Sequence, residues 1–267
     1  MKVYKYRPID DYTKDSLLKN YLFFSKPSSL NDPFECTFKL DMHGTTDEIK
    51  IFVKEVLERD PSFISLTRDK RRQIINDKTN NIKKGNINID EIMANIKTSM
   101  DKNSICSLSK INDDILMWSH YAGGHKGLCL EFDYEDLRKL VYQGCTIDTV
   151  RYKNALPIIN RVKNRDHMEL YPIFKTKSEH WEYENEVRII NSKGNDKVYF
   201  EKEWLKGIIF GQGTSKKMED EISKLVIKTG YNVQFYKATK DDSSYSLKVI
   251  NYEKLVLDEK TSQHFFL

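Results

Sequence analysis

The sequence predicts an α+β fold: a mixed, mostly antiparallel sheet, with a split sheet as its variant, surrounded by helices and carrying a helical insertion. Three observations lead there. Strand-like segments are joined by irregular crossovers rather than by a regular βαβ alternation. Residues 44–102 lack Trp and Tyr and carry apolar residues at helical spacing. The remaining chain holds most of the 12% aromatic and 39% hydrophobic content, enough for a packed core despite 31% charged residues. We therefore expect one domain over residues 1–267, with 44–102 as a helical insertion.

The elements follow in order. Residues 3–6 alternate as a strand, 11–20 form a short polar helix, and 21–25 form an aromatic strand. Pro27, Ser28, Ser29, Asn31, Asp32 and Pro33 then concentrate turn-formers in a rigid loop. Within the insertion, Thr45 and Glu48 match a capping box ahead of the stripe Ile49, Phe52, Val53, Val56 and Leu57, which Pro61 ends. A basic helix covers 68–78, and Ile89, Ile92, Met93, Ile96 and Met100 mark another. Strands are predicted over 105–109, 127–132, 146–152, 186–190, 197–200, 207–210, 232–237 and 246–252. Helices are predicted over 112–121, 133–141, 160–169 and 215–229, the last with Ser215 as N-cap and Gly230 as stop.

Charge is unevenly spread. The chain has 44 Lys+Arg against 40 Asp+Glu, a net of +4. Seven Lys/Arg and two Asp between Arg68 and Lys84 give that stretch a net of +5, leaving −1 over the rest. A solvated helix face accounts for such a stretch, and so does contact with a nucleic acid or a protein acceptor. The start of the chain, MKVYKYRPIDDY, alternates apolar and charged residues, unlike a secretory leader, and no apolar run reaches the roughly 18 residues of a membrane span. A cytoplasmic protein without membrane contact is the expectation. Cys36, Cys106, Cys129 and Cys145 form no C-x-x-C pair and read as core thiols; no metal is expected.

No self-sufficient catalytic motif is present, but three clusters stand out. In WEYENEVRII, a strand starting at Trp181 places Glu182, Glu184, Glu186 and Arg188 on one face. That face is either solvated, with an Arg–Glu pair, or a carboxylate site in a cleft. In the second, Arg7 ends the first strand near the hydroxyl-rich FFSKPSSLNDPFE loop, a combination suited to phosphate recognition or simply to turn formation. In the third, ILMWSHYA ends a helix at a glycine turn and puts His120 and Tyr121 at a site, or leaves His120 to cap the helix.

Together YKYR, FFSKPSSLNDPFE, ILMWSHYA, KGLCLEFD and WEYENEVRII resemble an uncharacterised bacterial family, domain of unknown function 2971, from Tyr4 to about Gly211, with 238–253 fitting its closing strands. More distantly, Arg7, then Ser25 or Ser28, then Glu184-Asn185-Glu186 is similar to the arginine–serine–glutamate order of the ADP-ribosyltransferase superfamily. Ser-Lys-Pro-Ser-Ser stands where that superfamily has Ser-Thr-Ser. The resemblance implies that NAD is a substrate, contacted by Arg7, with Ser25 or Ser28 at the nicotinamide-ribose pocket. It also implies Glu186 as catalytic carboxylate on the ribose 2′-hydroxyl, with Glu184 orienting the acceptor. Tyr121, Phe24 or Phe34 would stack on nicotinamide. The expected function is NAD-using transfer or glycohydrolysis in a bacterial toxin or phage-defence effector. The alternatives are a metal-assisted nuclease built from Glu184, Glu186 and His120, and a non-catalytic regulatory or partner-binding protein.

Overall fold

A computed structural model describes residues 1–163 and 170–252. Its first half contains β1 (Lys2–Arg7), α1 (Asp11–Lys19), β2 (Tyr21–Phe23), β3 (Lys39–Asp41), α2 (Thr46–Leu57), α3 (Pro61–Ile64), α4 (Arg68–Lys83), α5 (Ile89–Met100), β4 (Ser104–Ser109), α6 (Ile115–Tyr121), β5 (Leu128–Asp133) and α7 (Tyr134–Arg138). The second half adds β6 (Cys145–Thr149), β7 (Arg151–Tyr152), β8 (Ile158–Asn160), α8 (Tyr171–Phe174), β9 (Thr176–Lys177), β10 (Glu186–Asn191), β11 (Lys197–Tyr199), β12 (Leu205–Phe210), α9 (Lys216–Thr229), β13 (Gln234–Lys240) and β14 (Leu247–Asn251).

Eight strands form the main sheet in the order β14-β13-β12-β5-β1-β4-β10-β6. All its neighbours run antiparallel except β12 and β13, which are parallel because α9 carries the chain back between them. The fold is α+β. The predicted split takes a local form. β1 follows β5 over six register positions but meets β4 at one, Tyr4 opposite Ser109. Beyond that point the strands diverge, and the Lys5 ammonium donates to the Ser107 carbonyl at 2.8 Å across the gap.

The two faces of the sheet differ. On one, Val3, Leu108, Leu130, Val187, Ile189 and Ile208 pack with Leu17 of α1 and Ile222 and Val226 of α9. On the other, Tyr4, Tyr6, Cys129 and Ile209 meet Met117 and Trp118 of α6, while Ile105 and Ile190 meet Ile96 and Met100 of α5. The last helix of the insertion is thus part of the core, whereas α2 joins α4 in a separate small cluster around Ile49, Val53 and Val162. All four cysteines are buried and free.

Local signals set several boundaries. The capping box of Thr45 and Glu48 is formed, and α9 starts on the Ser215 side chain and stops at Gly230 with φ +86°. Gly127 is required where the chain turns from α6 into β5, because a Cβ there would lie 2.2 Å from the Arg7 carbonyl oxygen. Other expectations need correction. The aromatic strand stops at Phe23, after which Ser25 makes only an isolated bridge to Ile105. The helix after Asp133 ends at Arg138 and tightens into a 3₁₀ turn, Lys139–Gln143. Residues 146–152 divide into β6 and β7 around the buried Val150, because β7 leaves the sheet to pair with β9. Of the helix predicted over 160–169, Asn160 belongs instead to β8, paired with β3, and 164–169 lie outside the described residues.

Candidate active site

β10 lies between β4 and β6, so both its edges are paired, and all six of its residues are buried, so neither face meets water. Its alternation sends Val187 and Ile189 into one core and Glu186 and Arg188 toward the other side, where they are 2% and 1% exposed. A solvated strand face is therefore excluded. Charges buried this deeply persist only with partners, and those partners come from three separate segments.

Arg188 uses all five of its N–H groups. Its Nε and Nη2 donate to the two oxygens of Glu186 at 2.6 and 3.0 Å, and its Nη1 and Nη2 donate to the two oxygens of Glu35 at 2.7 and 2.9 Å. The fifth reaches the Phe174 carbonyl at 2.9 Å. Glu35 comes from the loop after β2, so this double fork pins that loop to the sheet. Lys177, from β9, adds a second cation, 2.6 Å from Glu184, 3.4 Å from Glu186 and 3.9 Å from Glu35. The Trp181 ring covers its ammonium at 4.7 Å.

Glu184 arrives by a route that strand periodicity does not describe. Residues Glu179–Glu184 form a 3₁₀ helix rather than the start of the strand, and Asn185, at φ +45°, turns the chain into β10. Glu182 is left exposed outside the cluster, and Glu184 is 3% exposed within it. The Ser109 hydroxyl anchors this turn by donating to the Glu184 carbonyl at 2.6 Å, and the Glu186 amide donates to the Tyr152 hydroxyl at 2.8 Å. The Glu184 carboxyl accepts from the Tyr121 hydroxyl at 2.6 Å on one oxygen and from Lys177 on the other. Asn31 in turn donates to the Tyr121 oxygen at 3.2 Å.

Among the ion-paired groups, three carboxylates against two cations leave −1 when all are ionised, and the Lys5 ammonium, which lines the same cleft, is held by the Ser107 carbonyl rather than by a carboxylate. The two neighbouring glutamates resolve this differently. Burial raises the pKa of Glu184, and the charge of Glu186 adds to that, outweighing Lys177 and the Tyr121 hydrogen bond. Burial also acts upward on Glu186, but the Arg188 guanidinium overcomes it, helped by Lys177 and the Ser107 hydroxyl, so its pKa falls below the usual carboxylate value. Burial, then the Glu184 charge, pushes the Tyr121 phenol upward, keeping it a hydrogen-bond donor.

These groups form one wall of a cleft of about 150 Å³, whose other sides are Tyr4, Tyr6, Leu30, Asn31 and Met117. Two further cavities adjoin it. One, of about 240 Å³, shares Leu30 and Glu35 and is lined by Ser28, Asp32 and Lys97; the other, of about 230 Å³, shares Lys177 and is lined by Phe34.

Of the residues singled out from sequence, Glu184, Glu186 and Tyr121 converge here. Arg7 does not: alternation along β1 places it with Val3 on the opposite face, where its Nε donates to the Thr13 hydroxyl at 3.1 Å. Phe24 is buried in the core of that same opposite face. Ser25 bonds Ile105 through its backbone. Ser28 and Phe34 line the two adjoining cavities rather than the cleft. His120 is exposed, its ring 6.2 Å from Tyr121 and 6.4 Å from Tyr183, and it does not line the cleft that holds the carboxylates it would join in a metal site. Among the described residues no group of three or more His, Cys, Asp or Glu is placed to hold a metal ion. Sequence reasoning missed Glu35, although it closes the loop block, and Lys177, which no spacing rule connects to β10.

Residues 117–189 match the model of the family described as Protein of unknown function (DUF2971). That span runs from α6 to β10 and holds Tyr121, Lys177, Glu184, Glu186 and Arg188, so it contains the cluster except for Glu35. The match supports a relation to an uncharacterised family and carries no activity with it. No curated protein and no solved structure matches the chain significantly. Among the described residues no helix is long and apolar enough to cross a membrane.

Proposed function

We propose that the cleft is the active site of an ADP-ribosyltransferase-like enzyme that breaks or transfers a glycosidic bond, with NAD as the donor. One observation carries this reading: Glu184 and Glu186, adjacent at the cleft wall, have pKa values pushed in opposite directions. Such a pair divides proton handling from electrostatic work. The bond between nicotinamide N1 and ribose C1′ breaks, and its electron pair leaves with the nicotinamide. The positive charge that develops on the ribose is stabilised by the ionised Glu186 carboxylate, which Arg188 holds in position. The acceptor oxygen then bonds C1′, and its proton passes to Glu184.

The dimensions fit part of the donor. The cleft is smaller than the roughly 300–1,000 Å³ of pockets for drug-sized ligands, so it takes the nicotinamide-ribose end, with Tyr121, Tyr4 and Tyr6 as its aromatic sides. The rest of the dinucleotide extends past Leu30 toward Ser28 and Lys97. The acceptor, nucleic acid or protein, is engaged through the basic helices of the insertion. Unrestrained NAD consumption would suit a bacterial toxin or phage-defence effector.

The test is release of nicotinamide from NAD by the purified protein, compared with Glu184→Gln and Glu186→Gln. Loss of general acid–base action predicts a fall of about 10²–10⁴-fold for Glu184→Gln, with the far-ultraviolet spectrum unchanged. Absence of both NAD turnover and NAD binding by calorimetry would sink the proposal. The non-catalytic reading has its own observation, since every oxygen of Glu35, Glu184 and Glu186 already has a partner. It predicts that both substitutions change stability alone.

A further inference from the structure

The helical insertion carries a second concentration of charge that the cleft chemistry does not use. Arg68, Arg71, Arg72 and Ile75 follow helical spacing and so share one face of α4. That face borders a groove of about 810 Å³ whose other side is α2, and Lys50 and Lys54, one turn apart on α2, face the same space. Five cations therefore border the groove against two carboxylates, Glu58 and Asp69, a net of +3. The basic stretch read from sequence is thus redistributed. Lys83 leaves the groove to donate to the Thr46 hydroxyl, while two lysines from a different helix enter it.

The state of these cations matters more than their number. Lys54 approaches Glu58 at 3.8 Å, but among the described residues Lys50, Arg68, Arg71 and Arg72 have no carboxylate partner within salt-bridge distance. Lys50, Arg68 and Arg72 are exposed. The apolar residues of the groove, Phe63 and Ile75, are turned inward: Phe63 is buried and Ile75 packs in the α2–α4 cluster. A groove rich in unpaired arginine forks and lacking an exposed aromatic or aliphatic anchor suits a polyphosphate chain better than a protein, whose interfaces centre on apolar hot spots.

We propose that the α2–α4 groove binds the phosphate backbone of a nucleic acid, with Lys50, Lys54, Arg68, Arg71 and Arg72 each neutralising a phosphate. Binding here is independent of sequence, since no groove residue is arranged to read bases. The inference specifies the partner of the basic helices and holds whether or not the cleft turns over NAD.

The experiment is fluorescence anisotropy of a labelled 30-base-pair DNA duplex with the full chain, titrated between 50 and 200 mM salt. Five phosphate contacts predict a slope of log K against log salt of about −4.5, a loss of roughly 500-fold across that range. The double substitution Arg71→Gln, Arg72→Gln should reduce the slope to about −2.7, or roughly 40-fold. A control pair on another helix, Lys224→Gln with Lys228→Gln, should leave the slope unchanged. Thermal melting of each variant checks that it is folded, and the single substitution Lys50→Gln, expected to remove about 0.9 from the slope, serves if the double variant is not. Absence of duplex binding at 50 mM salt would overturn the proposal. So would equal effects of the groove and control substitutions, or equal competition by polyglutamate, which would assign the groove to an acidic protein. None of these outcomes depends on nicotinamide release, so this proposal and the catalytic one fail separately.

Discussion

Among the described residues, the cleft cluster and the buried pair between α9 and β13 are built differently. Between α9 and β13, Lys237 meets Glu219, with the Thr214 carbonyl accepting from the same ammonium at 3.0 Å and the Tyr252 hydroxyl donating to Glu219 at 2.6 Å. One cation faces one carboxylate, each with a further hydrogen bond, and the result is a balanced tie between helix and strand. In the cleft, three carboxylates face two cations. Both arrangements satisfy the rule that buried charges are paired, but the second leaves one carboxyl, that of Glu184, whose pKa burial raises. Unbalanced burial, rather than burial itself, is what makes the cleft the candidate site.

The comparison can be broken most forcefully at Arg188. Replacing it by Met strands Glu186 and Glu35 in a dry environment and should cost about 3–5 kcal/mol, read as a lowered urea midpoint. Lys237→Met removes a cation from a smaller, more accessible cluster and should cost about 1.5–3 kcal/mol. Equal losses would mean that the two clusters do not differ as described.

Neutralising a carboxylate gives opposite signs in the two places. Glu219→Gln removes the one counter-charge of Lys237 among the described residues and should destabilise the protein by about 1–3 kcal/mol. Glu184→Gln removes the surplus charge while Tyr121 and Lys177 keep an amide partner, so stability at pH 7 should change by less than about 1 kcal/mol or increase. Chemical denaturation of the two variants side by side checks this.

Acidity sharpens the same contrast. Burial raises Glu184, so folding favours its protonated form. That contribution is complete below the ordinary carboxylate value of about 4.3 and is lost as pH rises through the raised folded-state value. Glu186 behaves in the opposite sense: with Arg188 lowering it, its contribution is present above about 4.3 and is lost as pH falls through the lowered value. The stability advantage of Glu184→Gln over the wild type should therefore grow with rising pH and vanish under acid conditions. Tyr121→Phe removes one hydrogen bond, should cost about 0.5–1.5 kcal/mol and moves the acid limb of any pH–rate profile upward.

The sequence supported the fold through features that are local. The capping box at Thr45, the Ser215 and Gly230 boundaries of α9 and the alternation of Val187 and Ile189 are written within a few residues of where they act. The site was legible only where it coincided with such a pattern. Glu186 and Arg188 could be placed on one face by period two, but their burial depends on the loop after β2 and the segment from Phe174 to Lys177 folding over that face, which no local signal announces. Glu184 was assigned to the right neighbourhood by the wrong geometry, since the 3₁₀ turn and Asn185, not strand pleating, deliver it. Arg7 shows the converse: it ends the first strand as expected, but one residue of register sends it through the sheet to Thr13. Glu35 and Lys177 join the cluster only because the loop after β2 and the short β9 fold onto the same face.

The central claim is that two adjacent glutamates in one cleft have pKa values displaced in opposite directions. It is tested most directly by a pH titration of the protein carrying ¹³C-labelled glutamate carboxyls, with Glu184→Gln and Glu186→Gln used to assign the two resonances. The account predicts that the Glu184 carboxyl titrates above the ordinary value of about 4.3 and the Glu186 carboxyl below it. Both titrating together near that value, or Glu184 titrating below Glu186, would contradict it.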